Sequence, residues 1–202
     1  MSAEFRSLIK LTPRDVNRHY SPEAFKELFP RVSIIIDCTE DEMERPSTLD
    51  SQSACYSSYK SRPTMEALVG ITPSWVLAYV SEFFPGSTSD KEITLTSGLL
   101  DQLLPGDEVM ADKGFNIQDE LAAVGVSLVI PAVLKGKTQF SVEESTKNKA
   151  IASLRIHVER MMERFKNWHV LDRKVSISMA PFASDMIIVI SALSNFLPPL
   201  IH

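Results

Sequence analysis

Short apolar runs alternate with amphipathic segments along most of this chain, which is the pattern of a mixed α/β protein. Period-2 or continuous apolar runs predict strands at residues 32–36, 65–71, 75–81, 108–111 and 126–133. Amphipathic segments and end signals predict helices at residues 23–29, 90–103, 117–124, 147–168 and 184–196. The order of these elements predicts a mixed sheet with helices on both faces.

Two parts of the chain do not follow the alternation. Residues 1–30 form a helical lead-in, and residues 31–202 hold all the predicted strands. Residues 39–63 are polar and rich in serine, and they are predicted to be a loop or an irregular hairpin. The turn at residues 85–90 is expected to end in a helix N-cap at Asp90, and Ser141 with Glu144 predicts a capping box before the long helix.

Three carboxylates occupy positions that suit a metal centre. Asp37 follows the first apolar run, Asp112 follows the run 109–111, and Glu159 lies in the long helix beside its apolar stripe. Carboxylate oxygens are the ligands that Mg²⁺ prefers, and two such ions about 4 Å apart can clamp both oxygens of a phosphodiester displacement. The alternative for Glu159 is a surface ion pair with Arg155, four residues earlier on the same helix face.

The net charge of −5 argues weakly against a nucleic-acid-binding protein, but the charge is unevenly distributed. Ten Lys and Arg residues and five Asp and Glu residues lie between Lys135 and Lys174, a local balance of +5, so the remainder carries −10. This basic stretch can bind a phosphate backbone, or it can be the solvated face of a helix. No apolar run approaches the roughly 20 residues that span a bilayer, so no membrane partner is expected.

Six sequence blocks in order give a more specific indication. The chain resembles the nuclease domain of Harbinger-type DNA transposases, which are DDE superfamily endonucleases. The blocks are Ile35-Ile36-Asp37-Cys38-Thr39-Glu40, Arg45-Pro46-Ser47, Tyr59-Lys60, Gly86-Ser87-Thr88-Ser89-Asp90-Lys91, Met110-Ala111-Asp112-Lys113-Gly114-Phe115 and Arg155-Ile156-His157-Val158-Glu159-Arg160.

The resemblance implies an RNase H-like DDE nuclease domain over residues 31–202 whose catalytic and metal-binding triad is Asp37, Asp112 and Glu159. It further implies two Mg²⁺ ions, replaceable by Mn²⁺, double-stranded DNA as substrate and a nuclear location. Four further residues are candidates for auxiliary roles. Asp90 is expected next to the site, Arg155 and Arg160 are expected to contact phosphate or to orient Glu159, and Lys113 is expected to contact DNA.

The function that follows is strand cleavage and strand transfer of the transposase type. Relatives carry a separate DNA-binding region ahead of this domain, and residues 1–30 are too few to form one. The chain is therefore expected to lack its own sequence-specific module and to rely on a separate DNA-binding partner protein or on homo-oligomers. The alternative is a host-adopted, non-catalytic remnant that binds DNA or protein, and a third, disfavoured interpretation is an unrelated acidic α/β domain with coincidental carboxylates.

Overall fold

The strands form one mixed sheet in a computed structural model that describes residues 2–132, 139, 141–170 and 173–198. Within these residues the sheet has the order β2-β3-β1-β6-β7, and β4 and β5 also pair with β3. The strands are β1 (Val32–Glu42), β2 (Tyr56–Ser57), β3 (Arg62–Ile71), β4 (Leu77–Val80), β5 (Phe84–Pro85), β6 (Glu108–Met110) and β7 (Ser127–Val129). β1, β6 and β7 run parallel, whereas β3 is antiparallel to its neighbours.

Helices cover both faces of this sheet, as predicted. They are α1 (Ser2–Arg6), α2 (Arg14–Tyr20), α3 (Glu23–Leu28), α4 (Leu49–Cys55), α5 (Asp90–Thr96), α6 (Gln118–Ala123), α7 (Val142–Lys166) and α8 (Ala183–Ser194), with 3-10 turns at Leu100–Gln102 and Ala180–Phe182. One apolar cluster joins Ile35 and Met110 to α3, α7 and α8. A second joins Ile34 and Ile36 to α5 and α6 on the opposite face, because successive strand side chains alternate in direction.

Several predicted elements are confirmed. The segments at 65–71 and 75–81 form an antiparallel pair, β3 and β4, and the apolar stripe of α7 is buried. The capping box is present: the Ser141 hydroxyl accepts the Glu144 N–H at 3.1 Å, and the Glu144 carboxylate accepts the Ser141 N–H at 2.9 Å. The long helix therefore begins at Val142 rather than near residue 147.

Two further boundaries were predicted wrongly. The first strand does not end before Asp37 but continues to Glu42, because residues 35–42 pair with β3 over eight consecutive positions. Residues 39–63 contain the second half of β1, then α4, and then β2, which pairs antiparallel with the start of β3. The loop interpretation of this segment is therefore wrong, and the alternative of an irregular hairpin describes residues 56–63. The helix from residue 90 ends at Thr96 rather than Leu103, and Gly98 follows with a left-handed φ of 88° that a helix cannot accommodate.

The lead-in packs against the sheet domain. Ile9, Phe25 and Phe29 are buried in the same apolar cluster as α7 and α8. The two segments thus share one core, while the division of the chain at residue 30 stays a prediction. Among the helices in the described part of the chain, none combines the length and the apolar character needed to cross a bilayer.

Candidate active site

The register of two parallel strands sets Asp37 and Asp112 at the same level. Ile35 of β1 pairs with Met110 of β6. Asp37 lies two residues after Ile35, and Asp112 lies two residues after Met110. Side chains two residues apart on a strand share a face, so Asp37 faces the same side as Ile35. That side is the one covered by α7. The two aspartates therefore lie at one level of the sheet, and Asp37 is in mid-strand rather than just past the end of its strand.

Arg155 of α7 reaches across to Asp112. Its Nη1 lies 2.9 Å from Asp112 Oδ1, and the same oxygen accepts the Lys113 backbone N–H at 2.7 Å. The Arg155 side chain is only 17% exposed, whereas that of Asp112 is 44% exposed. This ion pair, with its guanidinium mostly buried, joins α7 to the residues that follow β6.

Asp37 shares this electrostatic environment. Burial raises the pKa of Asp37, the Arg155 charge and the Cys38 backbone N–H lower it, and the negative charges of Asp112 and Asp90 raise it again. The Cys38 N–H donates to Asp37 Oδ1 at 3.0 Å. Three carboxylates and one guanidinium thus act on the ionisation of one another here.

Glu159 lies one helical turn beyond Arg155 on α7, and its side chain is exposed. Within the described residues no ion pair or hydrogen bond joins it to Asp37, Asp112 or Arg155. The alternative of an Arg155–Glu159 surface pair does not describe this structure, because Arg155 pairs with Asp112 instead. Four residues correspond to about 40° around a helix and about 6 Å along it, so Glu159 remains on the side of α7 from which Arg155 reaches the carboxylates.

Asp90 belongs to a second cluster, on the α5 side of β1. The Cys38 sulfur and carboxylate oxygens of Glu66 and Asp90 all lie within 4.8 Å of one another. Burial raises the pKa of Glu66 to about 8, helped by the charges of Asp90, Glu40 and Asp37, and burial also raises the pKa of the Cys38 thiol. Glu66 and Cys38 were not predicted as site residues.

The turn after Asp112 connects the two clusters. A Cβ added at Gly114 would lie 3.7 Å from Asp90 Oδ2, so the chain leaving β6 passes directly over Asp90. The expected N-cap at Asp90 is wrong: Ser89 caps α5 by accepting the Glu92 N–H at 3.2 Å. Asp90 therefore does not cap α5, and it lies beside the site.

The two remaining auxiliary candidates lie outside these clusters. Lys113 contributes its backbone N–H to Asp112, while its side chain is exposed. Arg160 is five residues after Arg155, about 140° around the helix. It lines a different groove together with Glu163, Trp168 and Leu197.

A strip of buried polar atoms continues from Asp37 along the α7 face of β1. Thr39 and Asp41 are 1% and 4% exposed, and Thr39 Oγ1 and Asp41 Oδ2 are buried with no hydrogen-bond partner within the described residues. Burial raises the pKa of Asp41 to about 6, which the charge of Lys166 partly opposes. The sequence did not indicate this strip, because residues 39–41 were assigned to a loop.

The raised pKa of Asp41 predicts a pH-dependent stability. Since the folded-state pKa of about 6 exceeds the ordinary value of 3.8, the folded state binds more protons between these values, and stability falls as pH rises through this window. Asp41→Asn removes this dependence. We expect the gain in stability of the variant over the wild type, measured as the difference between their free energies of unfolding, to be about 2 kcal/mol larger at pH 7.5 than at pH 4.5.

Denaturant titrations of both proteins at the two pH values measure this difference. Asp50→Asn, at an exposed carboxylate in the first turn of α4, is the matched control and should shift stability equally at both pH values. A difference between Asp41→Asn and wild type that does not change with pH would contradict the assignment of a neutral buried Asp41 at low pH.

The mixed sheet sets Asp37 and Asp112 at one level of two parallel strands. A comparison with protein families adds the class of protein: the family model described as "DDE superfamily endonuclease" matches residues 36–195. The match covers more than half of the chain, so the chain belongs to the DDE superfamily endonuclease family. No curated protein and no solved structure gave a significant match.

The donor set fits a hard divalent cation. Asp37 and Asp112 offer carboxylate oxygens only, and their mutual repulsion is offset by the single guanidinium of Arg155. Oxygen donors with uncompensated negative charge favour Mg²⁺ or Mn²⁺ over softer metals. The residues therefore suit the divalent metal that endonucleases of this family use.

Proposed function

We propose that this chain is a metal-dependent DNA endonuclease of the transposase type, with Asp37, Asp112 and Glu159 as the metal-binding and catalytic triad. The observation that carries the proposal is the common level of Asp37 and Asp112 on neighbouring parallel strands, with α7 lying across them. An RNase H-like fold and a Harbinger subtype are part of the same proposal. The seven-stranded mixed sheet and the ordered sequence blocks support them.

Each residue has a defined role in this proposal. Asp37 and Asp112 would hold the two Mg²⁺ ions from the sheet, and Glu159 would complete the ligand set from α7. When bound, such ions would lower the pKa of the attacking water or DNA 3′-hydroxyl and stabilise the leaving 3′-oxygen. The protein's own contribution is rigidity, because Asp37 lies within an 11-residue strand and Asp112 accepts the Lys113 N–H and forms an ion pair with Arg155.

Double-stranded DNA is the proposed substrate. Lys147, Lys149 and Lys166 are exposed on α7, the helix that also bears Arg155 and Glu159. Cations on this helix can neutralise phosphates next to the acidic site, giving sequence-independent binding. Strand transfer after cleavage, a separate DNA-binding partner protein, homo-oligomerisation and a nuclear location also remain proposals, supported by the family resemblance.

One observation favours a second candidate function. Asp112 already has a buried cationic partner in Arg155, and Glu159 is exposed rather than gathered with the other two carboxylates. A host-adopted remnant that binds DNA or protein without cleaving it would tolerate this arrangement. Metal binding distinguishes the two functions, because only the endonuclease requires it.

The test is a thermal shift on adding Mg²⁺ or Mn²⁺. A ligand at a hundredfold excess over its Kd stabilises the folded state by about 2.7 kcal/mol, which corresponds to a rise in Tm of about 5–10 °C for a domain of this size. Asp112→Asn should lose most of this rise. Asp101→Asn, at an exposed carboxylate in the 3-10 turn, is the control and should keep it. Equal shifts in wild type and Asp112→Asn would argue against the proposed metal site.

A further inference from the structure

Arg155 occupies an unusual position between the two sheet carboxylates. Its Nη1 forms an ion pair with Asp112 Oδ1 at 2.9 Å, and its charge also lowers the pKa of Asp37. The side chain is 17% exposed. Arg155 belongs to α7, which covers this face of the sheet, so one mostly buried cation acts on both carboxylates.

The bonding of Asp112 Oδ1 shows what Arg155 competes with. This oxygen accepts the Lys113 N–H at 2.7 Å and lies 2.9 Å from the positively charged Arg155 Nη1. A divalent cation that binds this oxygen would lie next to the guanidinium and be repelled by it. The side-chain cation can move away, whereas the backbone N–H is fixed by the turn.

Arg155 is also incompletely bonded where it lies. Its Nε is buried and has no hydrogen-bond partner within the described residues. A buried donor without a partner is unfavourable, which means that the guanidinium is held at this position mainly by the two negative charges. Once another cation neutralises those charges, little retains Arg155 there.

We propose that Arg155 is a resident counter-ion: it holds Asp37 and Asp112 together in the metal-free protein and yields Asp112 Oδ1 when a divalent cation binds. The inference rests on the proposed metal-dependent function and assigns Arg155 as a positioning residue. It also means that the metal affinity of the wild type is reduced by the need to displace a bound guanidinium.

Direct Mn²⁺ binding tests the proposal, measured from the free-ion signal in electron paramagnetic resonance at constant pH and ionic strength. We expect Arg155→Gln to bind Mn²⁺ roughly tenfold more tightly than wild type, because the competing charge-assisted bond is gone. Its Tm without metal should be lower than that of the wild type, and saturating Mn²⁺ should close the gap. Arg160→Gln removes the same charge from the other side of α7 and should bind within about twofold of wild type.

The outcomes separate this inference from the proposed function. If the wild type binds Mn²⁺ and Arg155→Gln binds it with equal or weaker affinity, the counter-ion role is overturned and the metal site is not. No Mn²⁺ binding by either protein overturns both. If Arg155→Gln does not fold, Arg155→Lys carries the test. A lysine lacks the planar fork of donors, so we expect roughly threefold tighter binding, and unchanged affinity contradicts the proposal.

Discussion

Asp37→Asn is expected to lower divalent-ion-dependent DNA cleavage by at least roughly a thousandfold, the scale of losing a preorganised electrostatic group that acts on the transition state. Asparagine keeps the size of the side chain and can still accept the Cys38 N–H, which in the wild type lies 3.0 Å from Asp37 Oδ1. It removes the negative charge that binds the metal. Because burial already penalises the charged form of Asp37, the substitution should not lower the stability of the fold.

Initial cleavage rates on a supercoiled plasmid with Mg²⁺ measure this loss, beside Glu159→Gln and the control Asp101→Asn. Glu159→Gln should lose activity comparably, and Asp101→Asn should retain it. Full activity in Asp37→Asn would exclude this site as the source of cleavage. Full activity in Glu159→Gln alone would instead remove Glu159 from the triad and leave Asp37 and Asp112 in place.

The level that Asp37 and Asp112 share follows from the parallel pairing of β1 with β6, which the apolar pattern alone does not specify. Each aspartate follows an apolar run, and runs of this kind become buried strands, so the sequence marks both residues but not the strand order that sets them side by side. The capping box at Ser141 was predictable, since it depends only on residues three apart.

The true length of β1 was not predictable in this way. Residues 39–42 are Thr, Glu, Asp and Glu, which have the composition of a loop. They are held in the strand by antiparallel pairing with β3, for example Asp41 with Met65. That pairing joins residues more than twenty positions apart, and tertiary pairing of this kind overrides local propensity. The buried strip at Thr39 and Asp41 was missed as a consequence.

Arg155 illustrates the same limit within a helix. The rule that residues four apart interact favours a pair between Arg155 and Glu159. In the structure a partner from the sheet, Asp112, takes the guanidinium. An exposed i,i+4 pair contributes only about 0.3–0.5 kcal/mol, so it is easily replaced by an ion pair with the sheet in which the guanidinium is mostly buried. Side-chain spacing on one helix cannot reveal such a partner.

Gly86→Ala is expected to destabilise the fold by at least about 3 kcal/mol, above the usual range for overpacking a core. An added Cβ would overlap Thr64 Oγ1 and lie 2.8 Å from the Thr64 carbonyl oxygen and 2.9 Å from that of Cys55. Thr64 Oγ1 cannot simply rotate away, because it donates to Glu40 at 2.7 Å. The two carbonyls are backbone, and Gly86 N–H itself bonds the Thr64 carbonyl at 3.0 Å.

The midpoints of denaturant unfolding curves, compared at an unchanged dependence on denaturant concentration, measure this loss of stability. Gly114→Ala is the matched control. At Gly114 the nearest atom, Asp90 Oδ2, would be 3.7 Å from the added Cβ, an ordinary contact, so reduced unfolded-state entropy should leave stability unchanged or slightly higher. Because Gly86 begins the turn that leads to Ser89 and Asp90, its replacement should also disturb the cluster with Cys38 and Glu66. A Gly86→Ala protein as stable as wild type would show that this turn does not pack against β3 as described.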